Sequence, residues 1–146
     1  MKIIKNRRGA ALIEFAIVAS VFLSLLFATF EIGFLLCIST GLKAGLYYGA
    51  RLGIIGSSAS NVTSLIISKY SVYGLGTISS SNITIKAYPT LADLNNNTNG
   101  TIGIGTSGQY VLYKGTYPYT FITSYLMPGG SNKTITVNIV VKNEYF

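Results

Sequence analysis

The stretch that most constrains this chain runs from Arg7 to Gly53, RRGAALIEFAIVASVFLSLLFATFEIGFLLCISTGLKAGLYYGARLG. From Ala10 to Leu42 its only charges are Glu14 and Glu31. Read as a helix rising about 1.5 Å per residue, residues 10–38 alone reach roughly 40 Å, more than the roughly 30 Å of bilayer hydrocarbon. Lys2, Lys5, Arg7 and Arg8 precede the run, and positive charge ahead of a first span holds that end in the cytoplasm. The pattern predicts a single membrane helix with its N-terminus inside and the rest of the chain outside.

Glu14 makes the run more than an anchor. A carboxylate at the bilayer centre costs about 2.5–3.5 kcal/mol by insertion scales, and less near the headgroups. The local order is Arg7, Arg8, Gly9, Ala10, then Glu14 and Phe15. It resembles the prepilin-peptidase site of type IV-like pilins, and Phe15 directly after the glutamate resembles the tight-adherence (Flp-type) branch. That resemblance implies cleavage between Gly9 and Ala10. A physical use for Glu14 then follows. Once such helices pack together, its carboxylate can pair with the new α-amino group of a neighbour and fix axial register, the best-attested use of a buried ion pair. The competing reading is a static anchor whose glutamate only sits at the interface.

A second pattern begins at Thr29. Gly33, Cys37, Gly41, Gly45, Gly49 and Gly53 follow it at intervals of four, which on a helix makes one slowly drifting stripe of small residues. A helix-interior glycine costs about 0.8–1.0 kcal/mol relative to alanine, so the stripe needs compensation. Close approach of another helix at a small-xxx-small surface supplies it. Leu42, Leu46, Tyr47, Ala50 and Ile54 still recur at helical spacing beside the stripe, which favours one continuous helix over a loop after Gly41.

Taken together, the RRG-A-x-x-x-E-F start, the apolar span, Glu31-Ile32-Gly33 and Gly49-Ala50-Arg51 resemble TadE-like pseudopilins of tight-adherence pilus systems. The resemblance covers roughly the first third of the chain. It implies a minor pilin or assembly factor of the bacterial inner membrane, joined by other pilins or pseudopilins and trimmed by a prepilin peptidase. Leu46-Tyr47-Tyr48 depart from the more polar turn expected there. Glu31 lies roughly 25 Å along the helix from Glu14. If deep, it needs a partner such as Lys43 or Arg51 of a neighbouring subunit; at the outer interface it needs none.

Beyond Gly53 the sequence predicts an α+β domain. Gly56 to Ser60 break the first helix, and residues 61–73 place Val62, Leu65, Ile66 and Tyr70 on one face of a short amphipathic helix, with Ser58 or Ser60 as N-cap and Gly74 and Gly76 at its end. Three or four antiparallel strands follow. Residues 82–88 and 134–142 alternate cleanly. Residues 110–113 and 117–125 read as two tyrosine-rich strands around Lys114-Gly115, Pro118 demoting the second to an edge. Residues 93–109 read as a long mobile loop, and Gly129-Gly130 as a turn. The division is a leader (1–9), a membrane and assembly helix (10–55) and an extracytoplasmic domain (56–146).

Composition narrows the function. The 146 residues carry a formal net charge of +7 with only 10% charged side chains, low for a fully solvated globule. No basic run follows Arg8, which gives nucleic-acid binding little support. Histidine is absent and the four carboxylates are Glu14, Glu31, Asp93 and Glu144, so neither an enzyme nor a metal or other cofactor is expected. GTIGIGTSG lacks the following lysine and the strand-to-helix context of a phosphate loop. Cys37 is the only cysteine and reads as a packing residue. Two further classes remain, a membrane-anchored adhesion or binding module and a pseudopilin of a type II-like secretion apparatus.

Overall fold

The computed structural model describes residues 7–122 and 132–144. A helix of 48 residues, α1 (Arg7–Ile54), is followed by α2 (Ala59–Tyr73). A single 3-10 turn (Ser80–Asn82) then leads into β1 (Ile83–Tyr88), α3 (Leu91–Asn96), β2 (Thr101–Ile102), β3 (Tyr110–Thr120) and β4 (Asn132–Lys142). The strands form one antiparallel sheet in the order β2-β1-β3-β4. The α+β architecture is the one the sequence predicts.

Local chemistry explains the elements. No proline interrupts α1, and its first turn takes in Arg7 to Gly9, so the Gly9–Ala10 bond lies within the helix. Ser58 caps α2, its side chain accepting from the Asn61 N–H, and Gly74 closes the helix by donating its N–H to the Tyr70 carbonyl. Val62, Ile66 and Tyr70 form the buried face of α2. On the sheet, Ile85, Ala87, Val111, Tyr113 and Val137 point inward against Ile38, Leu42, Leu46 and Ala50 of α1, so α1 and α2 cover one face of the sheet, while the short α3 lies over part of the other, where the buried Tyr88 donates its hydroxyl to Asn97.

Two expectations are corrected. Residues 110–120 are one strand rather than two, because Lys114-Gly115 is not a turn. Gly115 sits beneath α1, where an added Cβ would meet Leu42 at 3.1 Å and Leu46 at 3.3 Å. The glycine marks a close approach of a helix to a strand. Pro118 lies beyond Gly115, where pairing with β1 has ended and only β4 remains alongside, so the strand is locally an edge as its proline requires. The stretch 93–109 is not a featureless loop either. Thr90 caps α3 through the Asp93 N–H, and Lys86 pairs with Ile102 in β2. Asn143, 2% exposed, donates its side-chain amide to the carbonyls of Ile104 and Thr106. The expected turn at Gly129-Gly130 and most of the leader lie outside the described residues.

Candidate functional site

The sequence-predicted site residues all lie on α1, and the structure divides them into two groups. Among the described residues, Ala10 to Phe30 contribute nothing to the core, and Leu12, Ile13, Phe15, Ile17, Val18, Val21, Phe22, Leu25 and Phe30 are exposed. These 21 residues span about 31 Å. The hydroxyls in this half are satisfied within the helix. Ser20 donates to the Ile17 carbonyl, Ser24 to Ser20 and Thr29 to Leu25. Such back-bonding leaves no hydroxyl in want of water. One helix, then, is long and apolar enough to cross a membrane.

Gly9, Ala10, Glu14 and Phe15 sit at the free end of this half. A Cβ at Gly9 would meet nothing within 4 Å, and Phe15 is 72% exposed. Glu14 is exposed and four residues beyond Ala10, so both lie on one helix face. The distal domain covers none of the four.

Glu31 is where the helix changes character. It is 2% exposed, and one of its oxygens, Oε1, accepts from the Ile122 N–H at 2.7 Å and from the Tyr119 hydroxyl at 3.1 Å. The sequence offered a neighbour's cation or the open interface as its surroundings. Instead, the end of the chain's own β3 folds down onto it. Tyr119 also packs edge-on against Phe121, ring centroids 5.3 Å apart. Burial, and after it the bond to Glu31, holds the Tyr119 hydroxyl above its ordinary pKa. A carboxylate with two donors at the end of a strand ties the long helix to the sheet, since breaking a charge-assisted hydrogen bond leaves both partners unsatisfied.

The stripe of small residues is divided at the same level. Gly33 has open space beside it and Cys37 is exposed. The next three glycines are covered by α2 of the same chain. A Cβ at Gly41 would run into the backbone of Tyr73 and Gly74, one at Gly45 would meet the Ile66 carbonyl oxygen at 2.8 Å, and one at Gly49 would strike the Ile66 side chain. Gly53 lies under the Tyr113 hydroxyl, a buried group with no hydrogen-bond partner among the described residues, whose pKa burial pushes up to about 12. The helix that approaches the stripe from Gly41 to Gly49 is therefore α2.

The tyrosines serve both packing and surface. Tyr70, Tyr88 and Tyr113 are fully buried. Tyr48 stacks on Tyr73 with Lys69 5.0 Å above its ring, and Tyr47 is 65% exposed beside them. Nothing in the sequence pattern singled out Tyr119 or Ile122. Their partner lies too far away in the chain for any local signal to find them.

Among the described residues no cluster of three His, Cys, Asp or Glu side chains could hold a metal ion. No curated protein and no solved structure matches the chain. The helix itself does find a match: from the glycine after the paired arginines to the Gly-Ala-Arg near its end, residues 9–51, it matches the family model TadE-like protein.

Proposed function

We propose that this chain is a TadE-like pseudopilin, a minor pilin that works by assembly and not by catalysis. The family match supports a protein associated with tight-adherence pili. The observation that carries the finer reading is the division of α1. Twenty-one residues of bare apolar helix hold a single carboxylate, Glu14, four positions from Ala10, and among the described residues the distal domain leaves this half free for other contacts.

In this reading the precursor sits in the inner membrane with Arg7 and Arg8 at the cytoplasmic headgroups. A prepilin peptidase hydrolyses the Gly9–Ala10 bond and frees an α-amino group. When helices leave the lipid and pack side by side, that amine on one subunit meets Glu14 on the next. A mismatched register would bury a lone charge in an apolar bundle, so the pair selects one axial offset. Gly33 and Cys37, left open by α2, let a neighbouring helix come close just above the span. The domain carried on the upper half of α1 faces the extracytoplasmic side and becomes the outer surface of the assembly.

The test is direct. Mass spectrometry of the membrane-extracted chain from cells with an active prepilin peptidase is expected to find Ala10 as the first residue. A chain still bearing the leader would refute the processing step. Glu14→Gln is expected to leave the cut intact and to abolish incorporation into pili. Normal incorporation would remove the register role of Glu14.

A further inference from the structure

We propose that the distal domain rests on the membrane through the lower end of β3, with Ile122 and the apolar groove behind it seated at the boundary between headgroups and acyl chains of the outer leaflet. The proposal builds on the membrane reading of α1 and adds an orientation and a lipid contact to it.

Height is the first argument. With Ala10 at the inner boundary, a rise of about 1.5 Å per residue brings residues 30–34 to the outer boundary of roughly 30 Å of hydrocarbon. The bond from the Ile122 N–H to Glu31 fixes Ile122 at that level. β3 descends along α1: Gly115 faces Leu42 and Leu46, while Tyr119 reaches Glu31, eleven residues nearer the span.

Surface chemistry is the second. Ile122 is 66% exposed, Leu75 41% and Phe34 38%. With Ile38, Tyr117 and Pro118 they line an open groove of about 450 Å³ where α1 meets β3. Its lining holds no charged residue, and its Phe34 lies one turn above the exposed Phe30 on the same side of α1. An apolar surface continuous with a lipid-facing helix, at the same height, is covered by the same lipid. Tyrosines with an apolar body and a polar tip suit that depth. Lys133, which the register places opposite Tyr119, stands at this rim as a cation for lipid phosphates.

The arrangement also accounts for the burial of Glu31. A carboxylate at that depth facing acyl chains is costly. The tip of β3 supplies it with two donors and covers it with the aromatic and aliphatic groups that meet the lipid.

The chain has no tryptophan, so a single introduced one reports alone. Three variants of the full chain, Phe22→Trp, Ile122→Trp and Ile102→Trp, each at an exposed site, would be reconstituted in phosphatidylcholine–phosphatidylglycerol vesicles whose acyl chains carry bromine at shallow or deep positions. Ile102 pairs with Lys86, itself opposite Leu112. It is therefore level with Leu112, eight residues above the end of β3 at Thr120, about 26 Å along the strand. Phe22→Trp is expected to be quenched by deep bromines. Ile122→Trp is expected to be quenched by shallow bromines, about twofold more than Ile102→Trp. Quenching of Ile122→Trp no greater than that of Ile102→Trp, with Phe22→Trp still deeply quenched, overturns the lipid contact and leaves the span standing. An unquenched Phe22→Trp overturns both.

Discussion

The two halves of α1 are built from similar residues and meet opposite surroundings. From Ala10 to Phe30 the apolar side chains point outward all round; from Ile38 to Ala50 they recur every four residues and are buried against α2 and the sheet. Glycine changes meaning across the same line. Gly33 is open, whereas Gly41, Gly45 and Gly49 are each filled by the neighbouring helix. One continuous helix can thus be a lipid-facing rod below and a core element above, because its hydrogen bonds are internal and only the side-chain environment changes.

Alkaline titration would separate the halves most strongly. Burial raises the Tyr113 hydroxyl to about 12, and burial together with Tyr117 raises Tyr70 to about 12, from an ordinary 10.0. Both must stay neutral in the fold, so their contribution is whole below pH 10 and is lost as the pH climbs through about 12. No tyrosine lies between Ala10 and Leu46. Near-ultraviolet dichroism of the distal domain is expected to collapse over that interval while hydrogen exchange along residues 10–30 stays slow. Loss of both together would erase the distinction between the halves.

Next in size is Gly41→Ala. The added methyl meets the backbone of Gly74 and Tyr73, which cannot swing aside as a side chain can. Unfolding of the full chain in detergent is expected to show a loss of about 3 kcal/mol. Glu31→Ala is expected to cost about 2 kcal/mol, since the Ile122 N–H and the Tyr119 hydroxyl lose their acceptor. Combining it with Tyr119→Phe should give less than the sum of the two single losses; strict additivity would mean that no coupling crosses the junction. Smallest is Gly33→Ala, where open space and better helix propensity predict a gain of about 0.5 kcal/mol. A loss there would show that the open part of the stripe is already occupied within the single chain.

Much of the fold could be read because the signals were local. The Ser58 cap, the Val62, Ile66 and Tyr70 face of α2 and the alternation from Ile135 to Val141 each declare themselves within a few residues. Gly115 misled for the complementary reason. A glycine beside a lysine looks like a turn until the leucines of α1, some seventy positions earlier, are laid across it. The stretch after Asp93 misled in a similar way, since what organises it is Thr90 on one side and the distant Asn143 on the other.

By itself the sequence determined a long unbroken helix with a membrane-length apolar half, an acid four residues past Ala10, and a small α+β domain after it. Length, periodicity and capping are one-dimensional quantities, and they survive without knowledge of the neighbours. Only the tertiary structure decided which small residues were taken up within the chain and what Glu31 was for. Two of its partners lie 88 and 91 residues downstream, and a buried carboxylate acquires its surroundings from whichever donors the folded chain carries to it.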